Sequence, residues 1–341
     1  MLIDWAESGW LPDWAIRTGI RRLLAGRLGE QNVSADRESC IRQWRDEFGT
    51  GPLCVETQAA NEQHYEVPAE FFQLTLGPHL KYSCCWWDDS TPDLAAAERR
   101  MLELTAERAL LAPGQEVLDL GCGWGSFSLW AATRYPESRF TAVSNSRTQR
   151  AFIESQIAMR GLRNLRVLTQ NMAELNLPDT FDRIVSVEMF EHMRNYRLLW
   201  QRLAPLLRPG GRLFGHVFCH RSMAYKFEDR GATDWMSRHF FTGGTMPSRD
   251  LLTVFSEDLV CEQQWDVSGT HYQRTCEAWL QNLDRHRERL LQVLSDPNSP
   301  RLGRLRLQRW RMFMMSCAEL FGYAGGNEWF VTHFRLRPAG E

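Results

Sequence analysis

Of the 40 basic residues in this 341-residue chain, only Lys81 and Lys226 are lysines. Schiff-base chemistry therefore has almost no candidates, and no G-x-x-x-x-G-K-[ST] phosphate loop occurs. An excess of charge of one sign is also lacking. Forty Lys and Arg stand against 42 Asp and Glu, a formal charge of −2, which argues against a chain built to coat nucleic acid or anionic membrane. The nine cysteines form no C-x-x-C pair; apart from adjacent Cys84 and Cys85 they are scattered. That pattern gives neither a zinc site nor a disulfide framework, so no metal is expected and the thiols read as those of a reduced, cytoplasmic protein. No apolar run approaches the roughly 18–20 residues of a membrane span, and the opening MLIDWAESGWLPDW has no basic-then-apolar leader pattern. No stable membrane insertion is expected.

What is present is 43% hydrophobic and 24% charged residues, enough for one large or two small domains. Fourteen tryptophans imply many buried or pocket-lining rings. Residues 1 to about 75 read as helical. Asp13 can cap a helix carrying Trp14, Ile16, Ile20, Leu23, Leu24 and Leu28, with arginines between them. Such a basic amphipathic helix suits a packed cap with arginines in water, an anionic surface, or a homodimer. Further helices are expected from near Ser34 and near Ala69.

From about residue 93 helices and strands alternate, the signature of an α/β layer structure. Strands are predicted at 116–120, 139–143, 165–169, 181–187 and 212–218, with helices at 94–111, 124–134, 147–160 and 196–207. Pro209-Gly210-Gly211 reads as a turn, and 219–255 as an inserted, aromatic-rich lid. Late strands at 260–267 and 329–336 flank helices at 276–294 and 302–321. The expectation is a doubly wound sheet ending in an antiparallel hairpin.

The string VLDLGCGWGS runs from a strand into a helix. Glycines at 121, 123 and 125 allow a tight turn and close approach of a ligand. A dinucleotide fingerprint fits poorly, because Ser126 stands where Gly or Ala is wanted and the next strand ends Ala142-Val143-Ser144-Asn145 without an acid. Asp119 beside the loop suits a ligand with an ammonium group, such as the methionine part of S-adenosylmethionine. The fourth strand delivers Glu188, Glu191 and His192 in VEMFEH. If this stretch is helical, Glu188 and His192 share a face, and a flanking carboxylate would raise the basicity of the imidazole. Spacing alone equally allows two acids in a first helical turn and an incidental histidine.

The strings YEVPAEFF, KYSCCWW, VLDLGCGWGSFSLWAA, SVEMFEHMRNY, FCHRSMAYKFED, FFTGGTMPS, AELFGY and NEWFVTHF, from Tyr65 to Arg335, resemble class I S-adenosylmethionine-dependent methyltransferases. Within them the chain resembles the coclaurine N-methyltransferase branch, related to cyclopropane-fatty-acid synthases. The resemblance implies a Rossmann-like, doubly wound α/β domain at 93–341 with a helical N-terminal cap at 1–92. It implies S-adenosylmethionine as donor, S-adenosylhomocysteine as product, and a small aromatic amine as partner. The cofactor set it implies is Tyr82, Ser83, Asp119, Gly121, Gly123, Asn145, Gln149, Asn171, Met172 and Val187, Asn171 standing where the family often has Asp. Glu188, Glu191 and His192 become the base apparatus, and Cys317 matches a cysteine once assigned catalytic in cyclopropane synthases.

The rival reading is methylene or methyl transfer to a lipid acyl chain. Cyclopropane synthases hold bicarbonate with a cysteine, a glutamate, a histidine and a tyrosine. Cys84, Glu191 and His216 match the first three, but the tyrosine position is Leu280. Glu188 also stands where those enzymes usually carry a small residue. An extra carboxylate and a missing phenol favour the amine. Substrate contacts are expected at Cys84, His216, Trp329 and Phe330, with core packing the alternative for the last two; His220 reads as a satisfied core or loop histidine.

Overall fold

The computed structural model describes residues 2–30, 37–55, 67–229, 231, 234–295 and 299–341. The helix start expected near Ser34 and the Tyr65 end of the resembling segment lie outside the described residues. Strands β1 (Glu116–Leu120), β2 (Arg139–Ser144), β3 (Leu165–Thr169), β4 (Phe181–Val187) and β5 (Leu207–His220) pair in parallel. β6 (Tyr225–Lys226) and β7 (Thr245–Met246) form a separate antiparallel ribbon in the 219–255 segment. β8 (Leu259–Val267) and β9 (Trp329–Pro338) complete a seven-stranded sheet of order β3-β2-β1-β4-β5-β9-β8. β9 runs antiparallel to both β5 and β8, as the late hairpin requires.

The helices are α1 (Leu2–Glu7), α2 (Asp13–Glu30), α3 (Arg37–Phe48), α4 (Ala69–Thr75), α5 (Leu94–Arg108), α6 (Ser126–Arg134), α7 (Arg147–Arg160), α8 (Tyr196–Leu203), α9 (Trp235–His239), α10 (Gly269–Arg285), α11 (Arg287–Val293) and α12 (Pro300–Gly322). Local chemistry starts them: Asp93, Ser146 and Asn195 accept from Ala96, Gln149 and Leu198 amides at the N-termini of α5, α7 and α8. Two expectations shift. The expected 276–294 helix begins earlier, at Gly269 behind the Ser268 cap, and breaks at His286 into α10 and α11. The Pro209-Gly210-Gly211 turn survives as a bulge: Phe181 pairs with Leu207 and Arg183 next with Arg212.

On α2, Ile16 is buried and Ile20, Leu24 and Leu28 pack on the core, but Trp14 and Leu23 face solvent, Trp14 at 71% exposure. Its arginines do not simply project into water. Arg17 pairs with Glu277 of α10 and Glu319 of α12, and Arg21 with Glu319. Asp13 opens α2 with its carboxylate engaged by Arg311. Glu7 of α1 takes the Trp235 indole N–H at 2.7 Å and pairs with Arg309 of α12, which ties the first helix to the 219–255 segment. Among the described residues no helix is long and apolar enough to cross a membrane, and no cluster of His, Cys, Asp or Glu is suited to a metal ion. All nine cysteines are free thiols.

β5 and β9 meet closely because Gly215, opposite Phe334, leaves room for its ring; a Cβ there would lie 2.2 Å from Phe334 Cζ. Gly215→Ala should therefore destabilise the protein by about 1–3 kcal/mol, read as a lower urea midpoint. An unchanged midpoint would mean that β9 shifts freely against β5.

Candidate active site

The carboxyl ends of β1, β2 and β4 open on one crevice, as in other open α/β sheets. After β1 the chain turns through Gly121 (φ 81°) and Gly123 (φ 54°), conformations that glycine adopts without strain. A Cβ on Gly121 would lie 2.5 Å from Met189 Cγ, whereas Gly123 faces open space. Two cavities flank this loop. One is lined by Gly121, Gly123, Asn145, Gln149, Asn171, Met172, Glu188 and His192, among others. The other is lined by Tyr82, Ser83, Asp119, Gly121, Gly123, Gln149, Val187 and Glu188 among its walls. Together they collect every residue of the expected cofactor set.

Asp119 is buried and accepts the Ser128 hydroxyl at 2.5 Å; burial pushes its carboxyl up to about 7. The Ser144 hydroxyl donates to Gln149 Oε1, while Gln149 Nε2 and the Ser126 hydroxyl are buried without hydrogen-bond partners. Such polar atoms in a glycine-lined crevice fit a polar nucleoside ligand, and the Asp119 carboxyl fits its ammonium group. Asn171 is used differently from expectation. Its amide oxygen accepts the Ala173 N–H at 3.0 Å, capping a short turn at the cavity wall.

A third cavity lies beyond, walled by Phe218, Phe227, Met236, Phe241 and Met246 from β5 and the 219–255 segment, and by Tyr272, Cys276, Trp279, Cys317, Leu320 and Phe321 from α10 and α12. Glu188 lines all three cavities, and His192 lines this one and the first. A larger cavity, about 1090 Å³, lies elsewhere, between the 77–80 loop and α10, and holds none of the expected site residues.

Glu188 reaches this junction because it leaves β4 in the left-handed region, φ 49°, a strained turn for a non-glycine residue. The expected helical face does not exist; only Phe190–His192 form a short 3₁₀ turn. One Glu188 oxygen accepts the Cys84 amide N–H at 2.9 Å and lies 3.2 Å from His216 Nε2. The other accepts the Tyr272 hydroxyl at 2.6 Å. Burial raises its carboxyl to about 6 against the pull of Lys81 and these donors. His192 moves opposite to expectation. Burial lowers it to about 4, outweighing the adjacent Glu188, so at neutral pH it is an uncharged imidazole.

Other expectations are corrected. Glu191 lines none of these cavities; it is buried beneath β5, accepts the Phe218 amide N–H at 2.8 Å, and is raised well above the usual carboxyl range by burial. Cys84 contributes its amide, while its buried thiol points to the Cys85 carbonyl at 3.4 Å. His216 stands behind Glu188, not on a cavity wall. Trp329 and Phe330 pack in the core, the Trp329 indole N–H meeting the Tyr225 hydroxyl at 3.2 Å. Leu280 is buried, but a phenol is not missing, because Tyr272 supplies it from two turns earlier on α10. His220, the last residue of β5, accepts the Ser222 and Met223 amides at Nδ1, but it is not the satisfied histidine expected: its buried Nε2 has no hydrogen-bond partner and lies 3.3 Å from a Glu328 carboxylate oxygen.

Residues 55–327 match the family model described as mycolic acid cyclopropane synthetase. The chain belongs to this family. Within it, the chain is 36% identical over 338 residues to (S)-coclaurine N-methyltransferase of Thalictrum flavum subsp. glaucum, covering 97% of this chain and 94% of that one. A crystal structure of coclaurine N-methyltransferase bound to N-methylheliamine and SAH superposes with a TM-score of 0.93 at 33% identity, covering 98% of each chain. Cyclopropane-fatty-acyl-phospholipid synthase of Escherichia coli (strain K12) is more distant, 29% identical over 80% of this chain and 67% of its own length. The protein is an S-adenosylmethionine-dependent methyltransferase with the class I fold.

If Asp119 holds the ammonium group it must do so as the ionised carboxylate, and burial pushes that carboxyl up to about 7. Below that pH, binding must expel a proton. Affinity for S-adenosylhomocysteine should therefore fall about tenfold per unit as pH drops below 7, and Asp119→Asn should bind weakly with no such slope. Calorimetry at pH 5.5–8 measures this; a flat profile in the wild type would contradict the assignment.

Proposed function

We propose that this methyltransferase N-methylates a small aromatic amine. One observation carries the reading. Glu188 presents a carboxylate where the glycine-loop cavities meet an aromatic cavity, between the expected donor and the space for an acceptor. When bound, S-adenosylmethionine supplies an electrophilic methyl carbon on its sulfonium sulfur. The acceptor nitrogen must arrive with a free lone pair and close alignment. Phe218, Phe227, Phe241 and Phe321 offer ring faces to a flat or cationic substrate, and Glu188 offers its counter-charge.

A general base works best when its pKa lies near the working pH, which favours Glu188 at about 6 over His192 at about 4. Glu188 attracts the ammonium form and takes its proton at a carboxylate oxygen. Neutral His192, its ring 5.1 Å from that of Phe241, accepts an N–H of the amine and orients it. Glu191 acts indirectly, by holding the Phe218 amide and with it the wall of the aromatic cavity. Cys317 serves as wall, since transfer to an amine needs no protein nucleophile.

The same geometry weighs against lipid modification. Cyclopropane synthases are expected to set cysteine, histidine and tyrosine groups around bicarbonate. Here the Cys84 amide, His216 and the Tyr272 hydroxyl are taken by the chain's own Glu188 carboxylate. Nine free thiols support a cytoplasmic location. The exposed Trp5, Trp10 and Trp14 give a homodimer a candidate contact.

Purified protein given methyl-labelled donor and a panel of phenethylamines and tetrahydroisoquinolines should label an amine nitrogen, and Glu188→Gln should lower kcat by about 10²–10⁴-fold. Label appearing only in unsaturated phospholipid would replace this reading with the lipid one.

A further inference from the structure

Behind Glu188, on the side away from the cavities, a line of buried side chains leads across the sheet. His216 on β5 and His333 on β9 are direct cross-strand partners, with ring centroids 4.5 Å apart. His333 Nε2 lies 2.9 Å from His216 Nδ1, and His216 Nε2 lies 3.2 Å from Glu188 Oε1. At the other end Arg108, the last residue of α5, sets Nη1 2.7 Å from His333 Nδ1. Its guanidinium also lies 4.9 Å from the centre of a Trp265 ring, and its carbonyl accepts an Arg335 N–H. None of the methyl-transfer chemistry above uses His333 or Arg108.

The direction of this line is determined. A guanidinium has only donors, and a neutral imidazole has one donor and one acceptor. Both histidines are fully buried, and burial beside cationic Arg108 holds each well below its ordinary range, so both are neutral. Arg108 donates to His333 Nδ1, which places the His333 proton on Nε2. That proton is donated to His216 Nδ1, which places the His216 proton on Nε2, facing Glu188. No other arrangement of protons on neutral rings makes all three contacts.

We propose that Arg108, His333 and His216 are positioning residues: the guanidinium fixes both imidazole tautomers, so that Glu188 is always met from behind by an N–H and stays a proton acceptor toward the pocket. The line is not a proton exit, because Arg108, lowered by burial only to about 10, keeps its proton at neutral pH. The proton that leaves the ammonium nitrogen for a Glu188 oxygen must therefore depart on the pocket side. The importance of Glu188 here rests on the amine reading; the tautomers do not. Glu188 also faces Lys81, Cys84, Cys85, Glu191, His192, Tyr272 and Cys276, none of which hydrogen-bonds to Arg108.

Two measurements on the 341-residue chain test this. Long-range ¹H–¹⁵N spectra of ¹⁵N-histidine protein should show His216 and His333 protonated at Nε2 in the wild type and in Arg108→Lys. In Arg108→Met both should populate the Nδ1–H tautomer. With a responding amine, the acidic limb of kcat/KM should rise by about one pH unit in Arg108→Met, as expected when a carboxylate loses a donor, and return in Arg108→Lys. If Arg108→Met does not fold, His333→Phe cuts the same line and should release His216 and move the limb alike. An Nδ1–H tautomer in the wild type, or tautomers and limb unmoved by cutting the line, overturns the proposal. Failure to methylate any amine would overturn the proposed function while leaving the tautomer result to judge the line.

Discussion

A buried carboxylate must be surrounded by donors or lose its charge, and that constraint organises this protein. Glu188 draws donors from three separate parts of the chain: the Cys84 amide before α5, the Tyr272 phenol on α10 and the His216 imidazole on β5. Each donor fixes an element. The 77–84 loop is in turn held by Glu98 on α5, whose carboxylate accepts the Gly77, His79 and Lys81 amides. Lys81 donates to the Ser83 hydroxyl and the Cys84 carbonyl, which completes the wall on the donor side. One of the chain's two lysines thus holds a wall of the site.

The division of the crevice follows from this junction. On one side glycines and orphaned polar atoms suit a nucleoside; on the other, aromatic rings from β5, the 219–255 segment, α10 and α12 make an apolar chamber. The segment is tied down at a distance through Glu7, Trp235 and Arg309, so the N-terminal helices bear on the chamber without reaching the chemistry. Tyr272 stacks on Phe321 at 4.2 Å, which ties the phenol that meets Glu188 to α12 as well.

The parallel core is legible in the sequence because short β-branched and leucine-rich stretches bounded by turns and helices, such as EVLDL and the IVSV that ends at Val187, alternate with helical periods. The glycine loop was readable because backbone conformation limits residue choice there. Tyr272 was not, because its stretch of α10 was not read as helix, and a tyrosine three residues into a helix carries no mark of its distant partner. The sequence does not mark His333 and Arg108 for a related reason: their meaning lies in a β5–β9 register set by long-range packing. Glu191 and His192 were recognisable as titratable groups, yet their burial was not. Spacing suggested a helix with a shared face, whereas a left-handed Glu188 and a 3₁₀ turn send one acid into the core and the other to the cavities.

The most direct test of the central claim is a crystal structure of the protein with S-adenosylhomocysteine and a tetrahydroisoquinoline. The account predicts the amine nitrogen within hydrogen-bond reach of a Glu188 oxygen, about 2.6–3.2 Å, on the side facing the sulfur. An amine nitrogen turned toward solvent, with Glu188 sealed off behind packed rings, would contradict it.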